Sequence, residues 1–154
     1  MGFGRTGMGM LILAAMGIWG LCRIGFGGSV GQEYVPVEIR YGKRSVRLTA
    51  LRDTGNALRD PMTGEQVLVI GAEVAGKLCD LSREQLLHPM ETMLKYQGFR
   101  LIPFHTVGQA GGMLLAMRFS DVTVGNRRGS AIVAFAPEPI GRGDVYQALT
   151  GGAI

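Results

Sequence analysis

The chain has 154 residues, of which 47% are hydrophobic and 18% are charged, and this composition excludes a wholly disordered chain. Its length is enough for one ordinary domain and too little for two of full size. The formal net charge of +4 is too mild to indicate a nucleic-acid-binding protein, because that function needs a clustered basic face.

The cysteines and histidines predict no metal site and no cofactor. Cys22 and Cys79 are too few for a disulfide framework or a zinc site, and they indicate unpaired thiols in a reducing compartment. His88 and His105 lack metal-ligand spacing. The sequence also contains no phosphate-binding loop, dinucleotide-binding fingerprint or serine-nucleophile motif.

The N-terminal part predicts a membrane segment. Residues 6–22 carry no charge and, at 1.5 Å per residue, would span about 26 Å as a helix, the short limit for crossing a bilayer. Trp19, near the end of this stretch, is typical of a membrane interface. We interpret residues 1–23 as a single apolar transmembrane helix, with a signal peptide or a buried or disordered leader as the alternatives. Basic residues after the stretch favour a cell-membrane location with the following domain in the cytoplasm.

A glycine-rich segment separates this stretch from the predicted domain. Residues 24–33 contain four glycines and are predicted to be a flexible linker, so the domain is placed at residues 34–150. Apolar and polar residues alternate over residues 34–41 and again over residues 46–50. This period of two predicts a β-hairpin that leads directly into Asp53.

The rest of the chain alternates turn signals with apolar runs. Ser82 and Gln85 form a capping-box pattern at the start of a helix that Pro89 is expected to split or kink. The other predicted segments are a turn at 60–64, a buried strand at 66–70, strands at 99–107, 113–119, 121–124 and 130–136, a mobile loop at 108–112, a turn at 125–129, and one or two helical turns at 144–150. Together they predict a mainly β domain with one or two helices, closed like a small barrel or sandwich.

One tripeptide, Asp53-Thr54-Gly55, has the composition of a catalytic loop. An Asp directly after a strand is held rigidly, the Thr hydroxyl can bond backbone or a partner chain, and Gly permits a tight loop. Two such loops face to face would place two carboxylates close enough to share one proton, so that one acts as general base on a water and the other as general acid. This is the aspartic peptidase mechanism. The chain has one such tripeptide, so two chains around a two-fold axis would be needed, and an ordinary structural turn is the alternative.

Longer strings around the tripeptide carry a family resemblance. Residues 50–61 contain Asp-Thr-Gly-Asn, then Leu, then Asp-Pro, and residues 100–114 and 146–149 add a second and a third matching segment. Over residues 34–149 the chain resembles the sporulation sigma-E factor-processing peptidase family. The family's signature lies in these ordered, separated segments, which makes the resemblance more specific than the tripeptide.

The resemblance implies a concrete function. The family comprises membrane-embedded aspartic peptidases of spore-forming bacteria whose C-terminal domain is similar to a retroviral peptidase monomer and works as a homodimer. They remove a pro-sequence from an inactive sigma factor precursor, and a signal protein from the forespore activates them. The resemblance makes Asp53 the catalytic residue and Thr54 and Gly55 the support of the active-site loop. It also implies that residues 1–23 are the remnant of a larger membrane domain.

The chain departs from the family pattern in three places. Family members have several membrane helices before the peptidase domain, and this chain has at most one. The sequence after Leu149 lacks the usual His-Pro ending. Arg52 stands where retroviral peptidases carry an apolar residue, and we expect its side chain to point away from Asp53 towards solvent. A non-catalytic, membrane-attached β-domain that binds or scaffolds a partner is therefore the alternative function.

Other residues have structural interpretations. Gly111 and Gly112 are either the tip of a flap that closes on peptide or part of a plain loop. His105 is expected to be structural and Asp60 to be a turn residue. The methionines Met113 and Met117 are expected in the core.

Overall fold

The computed structural model describes residues 33–52, 58–106, 109–141 and 145–151. The predicted transmembrane helix and most of the linker lie outside the described residues, as do Asp53, Thr54 and Gly55. Within the described ranges no helix is long and apolar enough to cross a bilayer.

Strands dominate the described part of the chain. They are β1 (Glu33–Tyr41), β2 (Arg44–Arg52), β3 (Val67–Ile70), β4 (Phe99–Thr106), β5 (Gln109–Val124), β6 (Arg127–Phe135) and β7 (Ala148–Thr150). The helices lie between β3 and β4 and are α1 (Ala72–Cys79), α2 (Arg83–Leu87) and α3 (Pro89–Lys95).

Six of the strands close into a barrel. Their order is β1-β2-β7-β3-β6-β5, and pairing of β1 with β5 joins the two ends, while β4 extends the sheet as a hairpin with β5. The β2–β7 and β3–β6 pairs are parallel and the other pairs are antiparallel. Closure leaves these six strands without a free edge, which removes a route to aggregation. The prediction of a mainly β, closed domain with few helices is confirmed.

Side chains alternate between the two faces of each strand. Those on one face fill the barrel interior, and some on the other face form a second buried cluster. Val35, Val37 and Ile39 of β1 are buried in the barrel interior, as their period of two predicts. In β3, Leu68 and Ile70 join this interior cluster, whereas the alternate residues of the same strand belong to a second cluster outside the barrel. β3 is thus covered on both faces, which is why residues 66–70 read as a continuous apolar run.

The second cluster lies between the barrel wall and the β4–β5 hairpin. Its buried members are Leu51, Leu58, Val67, Val69, Ile102, Phe104, Leu114, Ala116, Ile132, Ala134, Ala136, Ile140 and Leu149. We call this set the outer cluster. It includes residues from β2, β3, β4, β5, β6 and β7, so it fixes the hairpin against the barrel.

The helical region follows the predicted signals. The Ser82 hydroxyl accepts a hydrogen bond from the Gln85 amide, and the Gln85 side chain accepts one from the Ser82 amide, which completes the capping box. Pro89 opens α3 and separates it from α2, because a proline is tolerated in the first turn of a helix and not in its interior. The split at Pro89 is therefore confirmed.

Three predicted loop or strand boundaries are wrong. Residues 109–112 belong to β5 and pair with β4, because ladder hydrogen bonds from a partner strand outweigh the low strand propensity of glycine. Residues 113–124 form one continuous part of β5, since β1 pairs with the strand beyond its irregularity near residue 120. The turn before β6 occupies residues 125–126 and not residues 125–129, and Gly125 at φ +60° supplies its left-handed position.

The predicted helical turns at the C-terminal end are also wrong. Ala148, Leu149 and Thr150 form β7, which lies between β2 and β3 and is buried. Neighbouring strands on both sides satisfy the backbone of this segment, and that tertiary context overrides the local helical pattern.

Candidate active site

The predicted catalytic tripeptide lies outside the described residues, but the structure fixes the chain on both sides of it. β2 ends at Arg52, and the description resumes at Leu58. Leu51 and Leu58 are both buried in the outer cluster. Residues 53–57 therefore connect two positions that the same apolar cluster holds in place.

β7 and the hairpin surround these two positions. β7 runs parallel to β2, with Ala50 opposite Ala148 and Arg52 opposite Thr150, so both strands end side by side. Phe104 of β4 is buried in the same outer cluster as the residues that flank the loop. The chain on the two sides of residues 53–57 thus lies beside a neighbouring strand end and the face of the hairpin.

The hairpin packs closely on itself at Gly112. Phe104 pairs with Gly112 across the β4–β5 ladder, and a Cβ atom at position 112 would lie 2.8 Å from Phe104 Cζ. The absent side chain therefore makes room for the aromatic ring. Gly111 and Gly112 both lie within β5, and residues 107–108, between β4 and β5, lie outside the described residues.

Arg52 has an unusual position for a charged residue. Its side chain is 25% exposed, and its guanidinium lies 3.8 Å from the Glu33 carboxylate. Its Nε atom is buried and meets no hydrogen-bond acceptor among the described residues. The expectation of a solvent-facing Arg52 is therefore only partly met.

Asp60, in the turn that follows residues 53–57, is a buried carboxylate. Only 1% of Asp60 is exposed, and its Oδ2 atom accepts hydrogen bonds from Thr63 Oγ1 at 2.9 Å and from Arg100 Nη1 at 2.7 Å. Its Oδ1 atom accepts from the Met62 amide at 3.3 Å. Burial acts to raise the pKa of Asp60, but these hydrogen bonds and the positive charge of Arg100 together lower it below its ordinary value.

The prediction that Asp60 is a turn residue is confirmed, and the structure adds a partner that the sequence does not reveal. The Gly64 amide donates to the Asp60 carbonyl at 2.8 Å, and the Asp60 amide donates to the Glu65 carbonyl at 2.9 Å, which closes the turn. Arg100 lies forty positions later in the chain, and no local pattern of residues connects it with Asp60.

Comparison with known proteins identifies the family. The model of the family described as sporulation factor SpoIIGA, peptidase family U4, matches residues 5–154. The chain belongs to this family. A relative from Priestia megaterium, named sporulation sigma-E factor-processing peptidase, is 30% identical over 94 residues, which cover 56% of this chain and 31% of the relative. The chain thus spans less than a third of that relative's length. No solved structure matches the chain.

In this member of the SpoIIGA family, the remaining candidate groups are a cysteine and a histidine. Cys79 ends α1, and burial raises the pKa of its thiol to about 11, so the thiol is protonated at neutral pH and is a poor nucleophile. Among the residues that the structure describes, no three His, Cys, Asp or Glu side chains gather as metal ligands. His105 lies in β4, and its side chain is outside the described part.

The two methionines differ in environment. Met117 is partly buried and packs against the barrel interior, as expected. Met113 is 46% exposed, so its assignment to the core is wrong. Both point to the same side of β5, and Met113 lies nearer the hairpin turn.

Proposed function

We propose that this chain is the peptidase part of a sporulation sigma factor-processing enzyme, an aspartic endopeptidase that works as a homodimer. The family match over residues 5–154 and the name of the Priestia megaterium relative support the assignment as a peptidase. The closed six-stranded barrel with one additional hairpin is compatible with a monomer similar to those of retroviral peptidases.

The position of Asp53 in the chain is the observation that supports assignment to the aspartic class of peptidases. Asp53 follows Arg52, the last residue of β2, so the strand leads directly into Asp53-Thr54-Gly55. Catalytic groups must be held with little freedom relative to their substrate. Leu51 and Leu58, buried in one cluster on both sides of the loop, supply such an anchorage.

Two copies of the chain would complete the chemistry. Asp53 from each chain would lie near the two-fold axis, and the two carboxylates would share one proton because both cannot ionise at close range. The charged carboxylate would take a proton from a water that attacks the peptide carbonyl, and the protonated one would donate to the carbonyl oxygen or the leaving amine. Thr54 and Gly55 would support the loop that carries Asp53.

The substrate we propose is an inactive sigma factor precursor, from which the enzyme removes the pro-sequence. An extended segment of the precursor would bind as a strand, so that main-chain hydrogen bonds supply affinity and side-chain pockets supply selectivity. The apolar residues 6–22 would tether the enzyme to the cell membrane with the peptidase domain in the cytoplasm, and a signal protein from the forespore would activate it.

The test is co-expression of the chain with the sigma factor precursor, read as the size of the precursor on a gel. Asp53→Asn keeps the shape of the side chain and removes its acid–base function, so we expect processing by the wild-type chain and none by this variant. Asp121→Asn is the matched control, because Asp121 is a carboxylate of β5 that pairs with Arg128 and lies level with the start of β2, at the opposite end of that strand from Asp53. Processing by Asp53→Asn at the wild-type rate would exclude the aspartic mechanism. The same assay is repeated with the upstream membrane helices restored and the activating signal protein co-expressed. Absence of processing in that arm as well would favour the non-catalytic binding domain.

A further inference from the structure

The segment that follows residues 53–57 is joined to β4 by the ion pair of Asp60 with Arg100 and to β5 by a more exposed pair of Glu65 with Arg118. Asp60 lies two residues after Leu58, where the described chain resumes. Arg100 is the second residue of β4 and pairs with Ala116 of β5, at the end of the hairpin away from its turn. Their side chains meet at 2.7 Å, between Arg100 Nη1 and Asp60 Oδ2.

The surroundings make this contact rigid. Asp60 is almost completely buried, and its carboxylate accepts three hydrogen bonds, from Arg100, Thr63 and the Met62 amide. The Val67 amide donates to the Leu58 carbonyl, so the turn is also tied to the start of β3. The Arg100 side chain is 29% exposed, so it is the Asp60 side of the contact that is enclosed. Moving Asp60 away from these donors would leave a buried carboxylate with fewer hydrogen bonds, which costs free energy.

The direction of the Arg100 side chain links the pair with the site. Alternation along β4 places Arg100 on the same face as Ile102 and Phe104, the two β4 residues of the outer cluster. That cluster also buries Leu51 and Leu58, on the two sides of the loop. The ion pair and the outer cluster therefore both contact the chain next to residues 53–57, and both do so from one face of the hairpin.

We propose that the Asp60–Arg100 pair is a positioning element of the peptidase, which sets the end of the Asp53 loop against the base of the β4–β5 hairpin. This inference rests on the proposed function. The pair takes no part in proton transfer to substrate. The ion pair keeps the loop in the arrangement that catalysis needs. Loss of the ion pair therefore lowers kcat more than it changes KM.

The experiment measures kcat and KM for precursor processing, and thermal unfolding, in the full chain and its variants. Arg100→Gln removes the charge that faces Asp60, and Arg100→Lys keeps it. Arg128→Gln is the matched control, because Arg128 forms an exposed ion pair with Asp121 between β5 and β6. We expect kcat to fall at least tenfold in Arg100→Gln with KM changed less than threefold. We expect Arg100→Lys to recover most of the loss and Arg128→Gln to match the wild type.

The outcomes separate this inference from the proposed function. If the wild-type chain processes the precursor and a folded Arg100→Gln variant keeps kcat within twofold, the positioning role is wrong and the proposed function stands. If the wild-type chain processes nothing even with the membrane helices restored and the signal protein present, the proposed function fails, and the positioning role fails with it. If Arg100→Gln does not fold, Thr63→Ala decides, because it leaves Arg100 in place and removes one hydrogen bond to Asp60 together with the one that Thr63 accepts from the Glu65 amide. A reduced kcat at unchanged melting temperature supports the proposal, and an unchanged kcat overturns it.

Discussion

Asp60 is a carboxylate that the fold holds almost completely out of water and still keeps charged. Burial of an isolated carboxylate would raise its pKa, but here hydrogen bonds from Arg100, Thr63 and the Met62 amide favour the charged form. The lowered pKa of Asp60 makes this residue a contributor to stability whose effect depends on pH.

The Asp60 pair predicts a specific acid dependence of stability. Since the pKa of Asp60 is lower in the folded chain, its contribution is present above the ordinary carboxyl pKa of about 3.9 and is lost as the pH falls through the folded value. We expect the free energy of unfolding of the wild-type chain to fall more steeply in acid, between about pH 5 and 2, than that of Asp60→Asn. Urea unfolding at a series of pH values measures this slope.

A comparison variant tests the role of burial in this prediction. Arg128 likewise lowers the pKa of Asp121, but that ion pair is more exposed to solvent. Exposed pairs contribute little because water and salt screen them. Asp121→Asn should therefore change the acid slope less than Asp60→Asn, and equal effects would contradict our account of Asp60.

At the scale of elements, the β4–β5 hairpin has two apolar faces with different partners. Residues 100, 102 and 104 of β4 face the outer cluster and the candidate site, whereas Phe99 and Leu101 pack against the helices and the barrel interior. Both strands therefore tolerate few substitutions. Gly112 is a position of close contact between the two strands, since the Phe104 ring occupies the space of its missing side chain.

Gly112 predicts a steric effect on the hairpin. In Gly112→Ala the new Cβ atom would lie 2.8 Å from Phe104 Cζ and 2.9 Å from its Cε1. The ring is buried in the outer cluster and can move only by leaving its packing, so we expect a loss of about 1–3 kcal/mol in the free energy of unfolding. Chemical denaturation of the variant and the wild type measures it.

Gly129 supplies the control for this substitution. It lies in β6, and a Cβ atom added there would meet no atom within 4 Å. Gly129→Ala should leave stability unchanged or raise it by a few tenths of a kcal/mol to about 1 kcal/mol, because it restricts the unfolded chain. Equal destabilisation by Gly112→Ala and Gly129→Ala would show that the Phe104 contact is not the cause.

At the scale of the whole molecule, barrel closure fixes where β2 ends. The strand is held by β1 on one side and β7 on the other, and β7 in turn pairs with β3. One chain carries one Asp-Thr-Gly, so the proposed chemistry requires a second copy of the whole domain. This requirement separates a shared active site from a site contained in one chain.

Mixed dimers test that requirement. When equal amounts of wild-type and Asp53→Asn chains pair at random, about one quarter of the dimers contain two wild-type chains. If both Asp53 residues are needed, processing activity at constant total protein falls to about a quarter of the wild-type value, and a site within one chain would leave about half. The rate of precursor shortening measures the fraction, and a mixture with Asp121→Asn, which should keep full activity, is the control.

The sequence by itself determined the features that depend on neighbours along the chain. The period of two placed Val35, Val37 and Ile39 on the buried face of a strand, and the Ser82–Gln85 capping box located the start of a helix. The separated family segments identified the family, which the match over residues 5–154 confirms. The roles of Asp53, Thr54 and Gly55 are still predictions, since these residues lie outside the described part.

Only the tertiary structure decided the features that depend on contacts between distant segments. Ala148–Thr150 became a strand because β2 and β3 offer hydrogen-bond partners on both sides, which no local pattern reveals. Gly111 and Gly112 have the composition of a loop but lie in β5, where Gly112 pairs with Phe104 of β4. Met113 is expected in the core from the sequence but is 46% exposed. Asp60 reads as a turn residue, and its pairing with Arg100 exists because the fold brings together two positions forty residues apart.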